Sequence, residues 1–252
     1  MPTTLRIATA LMLFVTPILP AALLAQTSQA DKTLLDAANH DRAAQGLDAL
    51  RWDPALAAAA RQHALRMAKA NQLSHQLPGE PPLQDRARHE GARFSTIAEN
   101  VAEGPSIPGL HTQWMNSPPH RANLLDPELN AVGIAVVQSG NMYFAVQDFS
   151  ASVPTLSLSR QEREVSSQLL ARSKLEVDAG TADARKTCES DNGFTGPRPA
   201  AILRYELSDP SNLPDELLQK ANSGKYHSAA VGACKPSGSS QFARFRIAVL
   251  LF

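Results

Sequence analysis

The sequence predicts an α+β protein, in which helix-forming and strand-forming stretches alternate within one chain. An alanine-rich stretch over residues 55–70 has high helix propensity. Two strand-like runs flank a glycine-containing turn at residues 138–141. The chain ends on a run in which apolar side chains alternate, at Phe245, Ile247, Val249 and Leu251. This order predicts a helical beginning, a central hairpin and a second, smaller α+β unit.

Composition excludes several classes of partner. The chain has 252 residues, with 24 Lys and Arg against 24 Asp and Glu, so its formal net charge is zero. Without excess positive charge, we expect no nucleic acid partner and no attraction to an anionic membrane surface. The length allows one large or two small domains, each with a hydrophobic core.

The first segment has the pattern of a secretory signal peptide. A positively charged start precedes an almost unbroken apolar run over residues 7–24, which ends in small residues. We expect residues 1–25 to be removed, with cleavage after Ala30 as the alternative. An uncleaved membrane anchor is disfavoured by Pro17 and Pro20. The mature protein is therefore expected to be secreted or periplasmic, with no stable membrane insertion.

The two cysteines of the chain, Cys188 and Cys234, both lie in its last third. Export places them in an oxidising compartment, where they can form a disulfide. Zinc binding is much less expected, because no CxxC pair or neighbouring ligand cluster accompanies them. We predict that the disulfide lies within a unit over residues 181–252.

Two helices are predicted at the start of the mature chain. Apolar spacing from Asp31 onward predicts the first helix, which Gly46 ends. Asp53-Pro54 is a strong start signal for the second helix. The proline- and glycine-rich residues 76–96 are predicted to form a loop.

Short elements are predicted between this loop and the hairpin. Residues 97–102 and 110–115 favour short helical pieces. If the first were helical, Glu99 and Glu103 would share a helix face, although a solvated Glu103 is the simpler interpretation. The predicted hairpin pairs residues 132–137 with 142–149.

The second half is predicted to contain a connecting segment, residues 153–180, followed by a small unit. A capping-box pattern at residues 159–162 starts a helix in the connecting segment. The unit itself is predicted to contain an irregular stretch at 180–199, a strand at 202–207, a helix at 214–222 and a closing strand at 245–251.

One short phrase recurs in the two halves. Val132-Gly133-Ile134-Ala135 and Val231-Gly232-Ala233-Cys234 are each followed by Ser-Gly and an aromatic strand. The recurrence is compatible with a degenerate second copy of the hairpin or with two ordinary hairpins. Because the rest of the two halves does not align, the sequence favours two ordinary hairpins.

Polar phrases in the first half resemble the bacterial branch of the CAP superfamily, which comprises cysteine-rich secretory proteins, antigen 5 and pathogenesis-related proteins. The phrases are Leu73-Ser74-His75, Ala98-Glu99-Asn100-Val101-Ala102-Glu103-Gly104 and Trp114-Met115-Asn116-Ser117-Pro118-Pro119-His120-Arg121-Ala122-Asn123. Asn39, Arg42, Leu50, Trp52-Asp53, Tyr143 and Gln147-Asp148-Phe149 extend the resemblance. It covers just under half of the chain and is specific, because all of the phrases occur in order.

The resemblance implies an α-β-α sandwich with a central antiparallel sheet over residues 31–152. It also implies a shallow cleft where two histidines and two glutamates meet. His75, Glu99 and His120 match three of these positions, and the fourth falls on Ser117. We therefore expect the three to converge, with Ser117 and Asn100 beside the cleft.

This cleft suggests a metal site with few charges. Two imidazoles and a carboxylate can hold a divalent ion, and water would complete the shell. Zn, Mg or Ca binding is expected to be weak at His75, His120 and Glu99. The alternative is structural, with Glu99 bonded to backbone amides and to His75. The other five histidines, His40, His63, His89, His111 and His227, show no cluster by spacing.

The resemblance leaves the activity open, because a fold does not fix a function. One hypothesis is a non-catalytic extracellular binding module for a small apolar, lipid-like ligand or for an extracellular or envelope protein. The other is a metal-dependent, protease-like hydrolase that uses His75, Glu99 and His120. Ser117 in place of an acid favours the binding module, and no nucleophile-elbow sequence supports a serine hydrolase.

Overall fold

The computed structural model describes residues 28–236 and 242–252, so the predicted signal peptide, residues 1–25, lies outside the described residues. The helices are α1 (Gln29–Ala44), α2 (Pro54–Ala70), α3 (Leu83–His89), α4 (Ile107–Asn116), α5 (Pro118–Leu124), α6 (Leu158–Arg172), α7 (Ala182–Glu189) and α8 (Asp215–Ala221). The strands are β1 (Arg51–Trp52), β2 (Phe94–Gly104), β3 (Ala131–Ser139), β4 (Met142–Ser152), β5 (Glu176–Ala179), β6 (Ala201–Leu207), β7 (Ser228–Cys234) and β8 (Phe245–Leu251).

The first sheet lies between two layers of helices. Its strand order is β1-β3-β4-β2, with β1 parallel to β3 and the other neighbours antiparallel. Side chains alternate between the two faces of a strand. On β4, Phe144 and Val146 pack with α2, whereas Ala145 and Phe149 pack with α1 and α4. The α-β-α sandwich is therefore confirmed for this unit.

Local signals set the ends of the first two helices. Ser28 caps α1 and forms a capping box with Asp31. Cleavage after Ala30 would remove this cap, so the geometry of α1 is compatible with the cleavage site after residue 25. The Asp53 side chain caps α2, and Asn71 in the left-handed conformation ends it.

Two local predictions were wrong. Residues 97–102 are not helical, because they belong to β2, which pairs with β4 from Phe94 to Gly104. Alanine and glutamate in this stretch favour a helix, but pairing with a neighbouring strand overrides that preference. Glu99 and Glu103 therefore do not share a helix face. The loop predicted at 76–96 contains the short helix α3.

The second sheet repeats the plan of the first. Its strand order is β5-β7-β8-β6, with β5 parallel to β7 and the other neighbours antiparallel. Helix α7 packs on one face of this sheet, and α6 and α8 lie on the other. Val165 and Leu169 of α6 are fully buried in this second core. Residues 153–180 are therefore not a separate connector, since α6 and β5 are part of the second unit.

A disulfide joins α7 to β7. Cys188 and Cys234 are bonded, with their Cα atoms 5.7 Å apart, as the sequence predicted. The two units meet where the Ala243 amide donates a 2.8 Å hydrogen bond to the Phe94 carbonyl. Within residues 28–236 and 242–252, no helix has both the length and the apolar character needed to cross a bilayer.

Candidate functional site: a cleft at the edge of the first sheet

Three elements bring His75, Glu99 and His120 together. Glu99 lies on β2, His75 follows the end of α2, and His120 lies in α5. His75 Nδ1 is 2.9 Å from Glu99 Oε1. The imidazole centroids of His75 and His120 are 6.2 Å apart and tilted by 47°. Residues far apart in sequence therefore converge at this edge of the sheet.

Arg86 of α3 holds the other side of Glu99. Its Nη2 forms a close ion pair with Glu99 Oε2, and its Nη1 donates a 3.1 Å hydrogen bond to the His75 carbonyl. Both side chains of the ion pair are almost fully buried. One oxygen of Glu99 thus contacts an imidazole and the other a guanidinium.

A second buried pair, His63 and Glu80, supports this network from α2. His63 Nδ1 is 2.9 Å from both carboxylate oxygens of Glu80, and His63 Nε2 is 2.8 Å from the Ser74 carbonyl. Because a carbonyl only accepts, these contacts require protons on both ring nitrogens or a proton on Glu80. The spacing of the sequence gave no signal for this pair, because 17 positions separate His63 from Glu80 and only folding brings them together.

Asp148 lies directly across from Glu99 in the β2–β4 register. It is fully buried, and neither of its carboxyl oxygens has a hydrogen-bond partner among the described residues. Burial, and then the charge of Glu99, raise the pKa of the Asp148 carboxyl well above its usual range. Asp148 thus favours its neutral form, which limits the negative charge buried beneath the cleft.

The surroundings shift the pKa values of the two cleft histidines in opposite directions. The bond to Glu99 raises the pKa of His75 above its ordinary value. Burial, followed by the proximity of His75, lowers the pKa of His120. The cleft therefore pairs an imidazole that favours the charged form with one that favours the neutral form.

Asn100 connects the strands to α5 behind the cleft. Its Nδ2 donates to the His120 carbonyl at 3.0 Å and to Gln147 Oε1 at 3.3 Å. Asn123 Nδ2 donates to Asn100 Oδ1 at 3.0 Å and to the Glu99 carbonyl at 3.3 Å. Asn100 therefore holds His120 in place, while Ser117 lies at the junction of α4 and α5.

A groove of about 430 Å³ opens beside His120. It is lined by Leu73, Val101, Ala102, Thr112, Gln113, Trp114, Asn116, Ser117 and His120. Trp114 is fully buried, whereas Leu73 is 41% exposed. A separate groove of about 630 Å³ lies between α4 and α5, and Met115, Ala122 and Leu125 are among its lining residues.

The cleft residues offer few side-chain ligands for a metal ion. Among the described residues, no group of three or more His, Cys, Asp or Glu side chains is arranged to hold an ion. Arg86 already neutralises Glu99 and would repel a dication placed on the same carboxylate. The described residues therefore do not fit a three-ligand site that includes Glu99.

Sequence reasoning found three cleft residues and missed most of the buried support. Glu80 and Arg86 both lie in the segment predicted to be a loop, residues 76–96. Asp148 was noted only as part of a family phrase. Their convergence depends on how α2 and α3 pack on the sheet, which no local pattern encodes.

Comparisons with known proteins agree with this fold. Residues 35–149 match the model of the CAP family, described as the cysteine-rich secretory protein family. The uncharacterized protein YkwD of Bacillus subtilis is 32% identical over 114 residues, which are 45% of this chain and 44% of YkwD. The uncharacterized membrane protein YlbC of the same organism is 32% identical over 111 residues, which are 42% of this chain and 31% of YlbC.

A solved structure is similar over the same region. It is an extracellular protein containing an SCP domain from Bacillus anthracis, at 30% identity and a TM-score of 0.44, and the match covers 47% of this chain and 39% of that chain. The chain spans less than half the length of each of these three relatives. The family match covers His75, Glu99 and His120, so residues 35–149 of this chain, which include the cleft, are similar to the CAP domains of the cysteine-rich secretory protein family.

Proposed function

We propose that this protein is an exported, non-catalytic binding module whose ligand lies in the groove beside His120. The observation that carries the proposal is the combination of an open apolar groove with a cleft carboxylate that is already neutralised. Glu99 contacts His75 and Arg86 through its two oxygens, so the cleft presents imidazoles and an apolar wall.

The ligand class follows from the lining of the groove. Its volume of about 430 Å³ is within the usual range for small-molecule sites. Leu73, Val101 and Ala102 offer apolar contact, which favours an alkyl chain or an apolar side chain of a protein partner. His75 lies beside the groove residue His120, with 6.2 Å between the ring centroids, and protonated His75 would suit an anionic head group at the histidine end. A fatty acid-like molecule satisfies both requirements, and an extracellular or envelope protein is the alternative partner.

Catalysis has weaker support in this geometry. Hydrolysis needs a general base and an activated water or nucleophile within mutual reach. Glu99 is engaged on both oxygens, and His75 uses Nδ1 to hold it. His120 alone would have to act as the base, and no carboxylate among residues 28–236 and 242–252 is hydrogen-bonded to its ring to orient it.

A divalent ion at the two imidazoles is part of the proposal, as a weak and water-completed site for Zn, Mg or Ca. Such an ion would order the mouth of the groove and would take no part in turnover. We expect zinc to raise the melting temperature of the wild type and not that of a His75→Ala/His120→Ala variant, because binding to the folded state alone stabilises it. An equal shift in both proteins would place the ion elsewhere.

The proposal places the protein in the periplasm or outside the cell. The apolar N-terminal run followed by small residues supports export. The Cys188–Cys234 disulfide supports an oxidising compartment.

Fluorescence gives the direct binding test. Trp114 lines the groove, so cis-parinaric acid bound there should accept energy transfer from it. Leu73→Glu, which introduces a charge into the groove, should weaken binding by roughly tenfold or more, since a bound apolar ligand would cover the new charge and remove it from water. Leu65→Glu is the matched control, because Leu65 is 48% exposed on α2 and is not among the groove residues. Equal binding by the two variants would rule out this groove.

Turnover assays test the hydrolase alternative. We expect the mature protein to show no activity on casein or simple esters, with or without zinc or magnesium. Metal-dependent activity that is lost in both His75→Ala and His120→Ala would refute the non-catalytic proposal and establish an enzyme.

A further inference from the structure

We propose that residues 158–252 are a second copy of the fold of residues 28–152, in which the cleft has been replaced by a clamp centred on Arg204. The first unit has the order α1-β1-α2-β2-α4-β3-β4, with α3 and α5 as additions. The second has the order α6-β5-α7-β6-α8-β7-β8. Seven elements therefore recur in order, with the same strand neighbours and directions.

Two glycines fix the register between the copies. Trp52 pairs with Val132, which precedes Gly133, and Ala179 pairs with Val231, which precedes Gly232. A Cβ atom on Gly133 would lie 2.0 Å from the backbone nitrogen of Ala57 in α2.

The second glycine has the same packing role. A Cβ atom on Gly232 would lie 2.2 Å from the backbone carbon of Ala184 in α7. In both units, the strand that pairs with the first strand thus carries a glycine at the same step, where the following helix packs directly against it.

In each unit, a carboxylate of the first helix accepts a hydrogen bond from the strand that pairs with the first strand of that unit. Asp31 Oδ1 accepts a 2.9 Å hydrogen bond from the Val136 amide. Glu162 Oε1 accepts a 3.0 Å hydrogen bond from the Ala233 amide. The two amides lie three positions after Gly133 and one position after Gly232, so the bonds differ in register, but each ties the first helix of its unit to the equivalent strand, α1 to β3 and α6 to β7.

The register then identifies what stands at the cleft positions of the second unit. In the first sheet, Gly133 pairs with Asp148, which pairs with Glu99. In the second sheet, Gly232 pairs with Ala248, which pairs with Arg204. Arg204 therefore occupies the position of Glu99, and Ala248 occupies that of Asp148.

Arg204 and Glu99 each contact the segment that follows the second helix of their unit, but through different chemical groups. Glu99 contacts His75, which lies in the segment after α2. Arg204 donates to the carbonyls of Thr187, Ser190 and Gly193, at the end of α7 and in the segment after it, over distances of 2.6–3.1 Å. In the second unit, Arg204 therefore binds the segment after α7 to the sheet. At the equivalent place in the first unit there is a cleft lined by imidazoles.

Hydrogen–deuterium exchange of the full mature chain tests the clamp. Arg204→Met should raise exchange over residues 187–199 by on the order of tenfold, because the carbonyls lose their donor and the segment opens locally. Arg198→Met is the matched control, since Arg198 is exposed in the same segment. We expect no change in the control and none at residues 72–80, around His75. Unchanged exchange over residues 187–199 in Arg204→Met would overturn the role of Arg204.

A crystal structure of the mature chain tests the duplication itself. With the second unit superposed on the first through their strands, the Arg204 Cα should fall within about one residue step, ~3.3 Å, of the Glu99 Cα. A different strand order, or a displacement of several residues, would overturn the assignment of a second copy. This outcome does not depend on whether the groove beside His120 binds a ligand.

Discussion

The two units of this protein have the same order of strands in their sheets. They differ in the side chains that they bury at one row, a set of residues paired across neighbouring strands. In the first unit this row carries Glu99 and Asp148 above the His63–Glu80 pair, with Arg86 as the compensating cation. In the second unit it carries Ala248 and Arg204, which bonds to backbone carbonyls. Buried charges stabilise a fold less well than apolar packing does. The charged row is therefore best explained by the cleft that it positions.

The units also differ in how they are held together. The first has no disulfide and packs helices on both faces of an extended sheet, with its largest side chains, such as Trp114 and Phe149, fully buried. The second is smaller and has a disulfide between α7 and β7. Small units often need such a covalent link, because their cores bury less surface.

The largest expected effect follows from removing the compensating cation. Arg86→Met leaves Glu99 and Glu80 without their buried guanidinium, which should destabilise the first unit by about 3–5 kcal/mol. Both tryptophans of the chain, Trp52 and Trp114, lie in this unit. Denaturant unfolding followed by tryptophan fluorescence therefore reports it selectively. Arg204→Met should leave the fluorescence midpoint unchanged, and a similar loss in both variants would contradict the comparison.

The next effect concerns the second unit alone. Replacing Cys188 and Cys234 with Ala opens a link between positions 46 apart. In the chain-entropy model this should cost about 3–4 kcal/mol. Far-UV circular dichroism should show earlier loss of part of the secondary structure, while the tryptophan transition stays in place. Two reactive thiols in the exported, unreduced wild type would refute the disulfide.

A matched pair of glycine substitutions tests whether Gly133 and Gly232 have equivalent packing roles in the two units. Gly133→Ala and Gly232→Ala each place a methyl group against the backbone of a packed helix. Each should cost about 2–3 kcal/mol by overpacking. Only Gly133→Ala should lower the midpoint seen by tryptophan fluorescence. If Gly232→Ala left the protein as stable as the wild type, the packing on which the equivalence rests would be wrong.

Much of the fold was predictable, because its signals are local. The capped helix after Asp53, the turn around Gly140 and the alternation of β8 each depend on neighbouring residues, and the structure has all three. The strand β2 was missed because its alanines and glutamates favour a helix outside the sheet. The sequence favoured two ordinary hairpins over a second copy, because the common strand order of the two units lies in pairing and topology, with few identities beyond Val-Gly.

The site was predictable only where a family phrase contained it. His75, Glu99 and His120 were identified in this way, and the structure places them near one another, with a 2.9 Å contact between His75 and Glu99 and 6.2 Å between the two imidazole centroids. His63, Glu80 and Arg86 come from α2, the following segment and α3. Their meeting depends on tertiary packing, for which the sequence has no spacing rule.

The smallest predicted effect is a pH dependence at the cleft. The pKa of His75 is raised in the folded state, so protonated His75 stabilises the fold fully below its unfolded pKa of about 6.5. This contribution is lost as pH rises through the higher folded pKa. Because His75 is 59% exposed, screening should keep the effect below about 1 kcal/mol.

Comparison with His75→Gln isolates this contribution. The difference in unfolding free energy between wild type and variant should be largest near pH 6 and should decline above it. The raised pKa of Asp148 acts in the same direction in both proteins and cancels in the difference. A difference that grew with rising pH would contradict the assignment.

The central claim is that the first unit binds an apolar ligand in a groove beside a cleft whose carboxylate is neutralised by Arg86. A crystal structure of the mature chain, grown with cis-parinaric acid and zinc and measured at the zinc edge, tests it most directly. The account predicts ligand density along Leu73 and His120, with Arg86 still paired to Glu99 and any zinc bound to the two imidazoles. Zinc bound to Glu99 with Arg86 displaced, or ligand found only in the second unit, would contradict it.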